Sequence, residues 1–183
     1  MSARSTDSWP VWQGDRVFVT NHVLAGVLIG QRFPRRPWAA FLAGCGSHLV
    51  MDAVPHWGCD VSIAGGPERF LRAARRDGVL GLAVISAAVA AVEPERRSAT
   101  LAAMAGAVLL DLDKPMEHFF GAHPFPDAVQ WFHGWIQRES PAGIRTELAA
   151  GAALALADTV AMLRAGRTGA DGRRAPVRPV SAH

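Results

Sequence analysis

Gly78-Val-Leu-Gly-Leu-Ala-Val-Ile-Ser-Ala-Ala-Val-Ala-Ala-Val92 carries no charge, and Glu93-Pro-Glu-Arg-Arg97 turns it into a second apolar run at residues 98–110. Strands seldom reach this length, so both runs read as helices, and the short charged turn between them makes an antiparallel hairpin. Towards the N-terminus the same pattern recurs: residues 17–31 and 38–54 flank the turn Arg32-Phe-Pro-Arg-Arg-Pro37 and form another hairpin. Towards the C-terminus, residues 115–140 are rich in Pro, Gly, His and aromatics and read as irregular, before an Ala-rich helix over 141–164. The expected fold is all-α: one bundle of about five helices, in two antiparallel hairpins plus a C-terminal helix. Residues 1–164 would be the helical domain and 165–183 a basic flexible tail.

The 183 residues suit a single domain. Half are hydrophobic and 19% are charged, with much of the apolar share supplied by Ala and Gly, which favours closely packed helices. Mean hydropathy is +0.13 and the pI is near 9.6. The basicity is local, because Arg167, Arg173, Arg174 and Arg178 stand against Asp171 in the tail and account for the whole net charge of +3. A neutral body without a basic stripe argues against nucleic acid as a partner. Cys45 and Cys59 form no CxxC pair and cannot staple a chain of this length. Cys45 lies on a small-residue helix face, whereas Cys59 follows His56 by three residues and is a candidate ligand. Residues 1–14 lack a basic start followed by an apolar core, so no signal peptide is expected. Phosphate-binding Gly loops, a GxSxG elbow and a dinucleotide fingerprint are all missing from the sequence.

Membrane embedding turns on two opposing signals. Apolar runs of about 13 to 16 residues fall short of the ~20 that a span needs. Yet the runs at 78–92 and 98–110 are apolar on every face, more than two helices of a small soluble domain can bury. Six Trp and no Tyr add a residue that favours the membrane interface. The expectation is a polytopic protein of the bacterial inner membrane, with a soluble cytoplasmic bundle as the alternative. Between the hairpins, Pro67-Glu-Arg-Phe-Leu-Arg-Ala-Ala-Arg-Arg76 sets Arg69, Arg72 and Arg76 on one face of a short helix. That face suits a lipid headgroup or a phosphate-bearing substrate, and equally a solvated surface.

The chemistry centres on Gly46-Ser-His-Leu-Val-Met-Asp-Ala-Val-Pro-His-Trp57. His48 and Asp52 project from one helical face, and Pro55 ends the helix and frees His56 to fold back. Two imidazoles and a carboxylate are donors that zinc, manganese or iron accept, although a His–Asp pair at this spacing also serves as a buried hydrogen bond. Antiparallel helices then carry His22, at the start of the first helix, and Asp111 and Asp113, at the end of the fourth, to the same pole. The segment holding His118, His123 and His133 joins there too. Asp113 has a second reading as the N-cap before Lys114-Pro115.

His48-xxx-Asp52-xx-Pro55-His56 resembles the HxxxD-Pro-His element of zinc-dependent phospholipases C, and His133-Gly-Trp-Ile-Gln137 resembles their HxxxE element with Gln137 in the carboxylate position. Thr20-Asn-His-Val-Leu-Ala25 and Leu110-Asp-Leu-Asp-Lys-Pro115 resemble segments of small bacterial membrane-bound metal-dependent hydrolases. The resemblance implies a helical fold, one or more divalent metals, most readily zinc, and hydrolysis of a phosphoester or lipid-like substrate. His22, His48, Asp52, His56, Asp111, Asp113 and His133 would be the metal ligands, Glu117 and His118 the proton-transfer groups, and Arg69 and Arg72 the holders of an anionic headgroup. The same donors suit an iron enzyme, and a helical membrane scaffold or ion transporter is the non-catalytic alternative.

Overall fold

A computed structural model describes residues 19–57, 67–140 and 143–172. The expectations for residues 1–14, for Cys59 and for the tail beyond Gly172 lie outside the described residues, as do the side chains of Arg69 and His118. The protein is all-α. Its helices are α1 (Val19–Arg32), α2 (Pro37–Ala53), α3 (Pro67–Ala91), α4 (Pro94–Val108), α5 (Asp113–Phe120), α6 (Asp127–Ile136) and α7 (Ile144–Gly172). A 3₁₀ turn (Leu110–Leu112) leads into α5, and the two-residue strands β1 (His56–Trp57) and β2 (Glu139–Ser140) pair in parallel.

Proline sets several of these boundaries. Pro37 opens α2 and Pro94 opens α4, each in the first turn, where a missing N–H costs no helical bond. Pro55 pushes Val54 into extended backbone (φ −82, ψ 137), which stops α2 immediately after Asp52 and Ala53, as the sequence predicts. Two differences from expectation have the same origin. Residues 115–140 are not irregular but contain α5 and α6, because Pro115 falls in the first turn of α5 and Pro126 just before α6, while Gly121 (φ 60) closes α5 in the left-handed conformation. The basic segment 67–76 is not a separate helix; it is continuous with the apolar run and forms the first turns of α3.

The bundle is built around α4, which packs chiefly against α1 and α2 and only sparsely against its hairpin partner α3. Small residues make this possible. Gly26 and Gly30 of α1 press on the α4 backbone at Met104 and Thr100, and Gly44 of α2 lies against Ala103, so that a Cβ at any of the three would collide with main chain. Gly106 of α4 faces the Phe41 carbonyl of α2 in the same way. Ala40, Ala99, Ala103 and Ala107 complete the buried seam. Val23, Val27, Ala88 and Met104 form the largest apolar cluster, joined at its edge by Met162.

Outward faces carry the bulk. Trp38, Leu42 and Val50 on α2, Val79, Leu80 and Leu82 on α3, and Leu148, Leu156 and Leu163 on α7 are all exposed. In α7 the usual polarity of an amphipathic helix is partly inverted: Glu147, Gly151, Leu154 and Asp158, at three-to-four-residue spacing, form the inward stripe, while Leu148, Leu156 and Leu163 are exposed. Its stretch Ile144–Arg164 is long and apolar enough to cross a membrane.

Candidate metal centre

Thr20-Asn21-His22 organises the pole where the ionisable residues meet. Successive residues on a helix turn by about 100°, so each of the three addresses a different neighbour. Thr20 donates from Oγ1 to Asp77 Oδ1 of α3 (2.6 Å), while Asp77 Oδ2 accepts the Val19 N–H (2.7 Å) and caps α1 from a distant helix. Asn21 donates from Nδ2 to Glu147 Oε1 of α7 (2.7 Å) and to the Glu147 carbonyl (3.0 Å). His22 is left facing α2 and α4. Its imidazole is fully buried, with Nε2 3.4 Å from Asp52 Oδ1 and 3.8 Å from Asp111 Oδ2.

His48 and Asp52 come from the last two turns of α2, Asp111 from the 3₁₀ turn after α4, and His133 from α6. The last of these is delivered by a strap: Arg138 N–H donates to the Asp52 carbonyl (3.0 Å), His56 N–H donates to the Arg138 carbonyl (3.1 Å), and β1 pairs with β2 beyond. The exit of α6 is thereby tied to the end of α2, with His133 turned inwards.

Three of these side chains form a triangle. His48 Nε2, His133 Nε2 and Asp52 Oδ2 lie 3.1 Å from one another along every edge. Donor atoms sharing one ion at about 2.0–2.1 Å, at tetrahedral to octahedral angles, stand about 2.9–3.4 Å apart. The spacing therefore fits a single cation. Ring orientation fits as well. His48 Nδ1 donates to the Ala107 carbonyl (2.7 Å), which can only accept, so the Nε2 lone pair of the neutral ring points into the triangle. His133 Nδ1 faces Asp113 Oδ2 at 3.5 Å, which orients that ring the same way. Two imidazole lone pairs aimed at each other beside a carboxylate repel unless a cation or a proton stands among them. Asp52 Oδ1 and both nitrogens of His22 are buried and make no hydrogen bond among the described residues, adding donors of the same kind. Two groups of potential ligands result, His22 with His48 and Asp52, and His48 with Asp111 and His133.

The structure thus brings His22, His48, Asp52, Asp111 and His133 together. Asp113 belongs to the surroundings: it is the first residue of α5 rather than an N-cap, and its carboxylate faces the outer nitrogen of His133. His56 is buried beside this pole, with Nδ1 donating to the Val54 carbonyl (2.7 Å), and is in neither ligand group. Glu117 is exposed one turn beyond Asp113 on α5, and His123 is exposed in the loop that follows. Arg72 is exposed and lies 3.7 Å from Glu68. Sequence reasoning gave no role to the Ala107 carbonyl, which has no side-chain signal. It noted Gln137 only as a departure from a motif, yet its amide lies 3.1 Å from His133 Nε2.

No family model, curated protein or solved structure matches this chain.

Proposed function

We propose that the protein is a membrane-embedded metal-dependent hydrolase acting on a phosphoester or lipid-like substrate. The observation that carries this reading is the 3.1 Å triangle of His48, Asp52 and His133, with His22 and Asp111 beside it. All five are buried at one end of an apolar bundle, where unpaired ionisable groups are costly to keep. A divalent cation held by these residues supplies Lewis acidity and a water activated near neutral pH. His48 and His133 offer fixed lone pairs, Asp52 and Asp111 neutralise charge, and Glu117, exposed one turn from Asp113, exchanges protons with solvent. Resemblance of the His48-to-His56 and Leu110-to-Pro115 segments to metal-dependent hydrolases supports the same class.

Two features favour the membrane and a lipid-like substrate. Helix α7 buries Glu147 and Asp158 and exposes Leu148, Leu156 and Leu163, the polarity of a helix in hydrocarbon. On α6, the face opposite His133 bears Trp131 and Trp135, with Phe132 on its flank, all exposed, and the two indoles stacked at 6.3 Å. Such a face suits the interface between headgroups and acyl chains.

The experiment is elemental analysis of protein purified in mild detergent, together with hydrolysis of a bis-aryl phosphodiester and of phospholipid before and after chelation. Bound zinc or manganese, with activity lost on chelation and regained on reloading, is the expected result. Iron with dioxygen-dependent turnover would replace hydrolysis by the oxidative reading, and a metal-free, inactive protein would leave the scaffold.

A further inference from the structure

At the pole opposite the His/Asp cluster, the turn between α1 and α2 meets the junction of α3 and α4 around a cavity of about 640 Å³. Arg32, Arg35, Arg36 and Arg96 line it, together with Glu93 and Glu95, leaving an excess of two positive charges. The carboxylates do not cancel the arginines evenly. Glu93 is engaged by Arg96 Nε at 3.3 Å, and Arg96 also donates to the Gln31 carbonyl at the end of α1, so this pair is fixed in the wall. The guanidinium groups of Arg32, Arg35 and Arg36 make no ion pair or hydrogen bond among the described residues. Three unengaged forks within one turn repel one another and favour an anion that accepts from more than one of them. The starts of α2 and α4 border the same cavity without a side-chain cap at Arg36 or Glu93, adding positive helix ends to that field. Trp38, two residues beyond Arg36, is 68% exposed at this level.

We infer that this cavity binds a phosphate group, the chemistry shared by an anionic phospholipid headgroup and free inorganic phosphate. It stands at the far end of the bundle from the metal centre and does not depend on the hydrolase reading.

Native mass spectrometry of the full chain in detergent, with phosphatidylglycerol or phosphatidylcholine added, reads the lipid arm. Calorimetric titration with inorganic phosphate reads the other. The wild type is expected to retain phosphatidylglycerol over phosphatidylcholine, or to bind inorganic phosphate at millimolar concentration or below, and the arm that responds names the source. In Arg35→Gln/Arg36→Gln, both exposed positions, that binding falls by about tenfold or more. In Arg75→Gln/Arg145→Gln, which removes two exposed arginines from the start of α3 and the start of α7 at the other pole, it stays at the wild-type level. Equal loss in both double variants, or a wild type that neither discriminates the lipids nor binds phosphate, overturns the assignment. Metal content measured on the same samples keeps this result separate from that of the metal centre.

Discussion

Asp52 and Asp158 are both buried carboxylates on apolar helices, and their surroundings are opposite. Asp52 Oδ2 lies 3.1 Å from both His48 Nε2 and His133 Nε2, and Oδ1 lies 3.4 Å from His22 Nε2. Asp158, midway along α7, has no hydrogen-bond partner for either oxygen among the described residues, although it is only 5% exposed. Burial penalises both. The difference teaches that the His/Asp pole is a constructed arrangement, in which separate elements converge on one carboxylate. Asp158 is carried into the α1–α7 seam by the spacing of one helix.

The largest expected effect comes from removing that convergence. His48→Ala and Asp52→Ala should each lose bound metal by about a hundredfold in affinity or more, seen by elemental analysis after size-exclusion chromatography. Unchanged metal content in both would make the two carboxylates alike and end the metal reading. Acidification should act in the same direction. Protons compete for the imidazole lone pairs, so metal affinity is expected to fall on acidification and to recover when the pH is raised again.

A smaller change sharpens the comparison by adding to one side of it. Gln137→Glu places a carboxylate where the amide now lies 3.1 Å from His133 Nε2 and should raise metal affinity by about tenfold, measured by chelator competition. On the other side, Asp158→Asn removes an uncompensated buried carboxylate. It is expected to raise stability by about 1 kcal/mol, read as a higher Tm, with metal content unaltered. A fall in Tm or a loss of metal in that variant would mean that Asp158 is linked to the centre after all.

Much of the bundle is legible in the residues themselves. Uncharged runs, charged turns and Pro55 specify the hairpins, and alternation of helix direction is enough to put His22, His48, Asp52 and Asp111 at one end. Residues 115–140 are harder to read because Pro and Gly carry two meanings, breaking a helix in its interior and starting or closing one at its ends. The Arg69-to-Arg76 segment reads as separate because its charge contrasts with the apolar run, although no residue between Arg76 and Gly78 forbids helical continuation.

The sequence by itself determined the helices of the two hairpins and their directions, and therefore the pole at which His22, His48, Asp52 and Asp111 gather, since these follow from local periodicity and chain connectivity. Only the tertiary structure decided which atoms face one another. The 3.1 Å triangle needs Gly26, Gly30, Gly44 and Gly106 to bring α1, α2 and α4 into backbone contact, and the Ala107 carbonyl and Asp113 to fix two rings. Distances of a few tenths of an ångström depend on close packing between segments remote in the chain, and no local pattern encodes them.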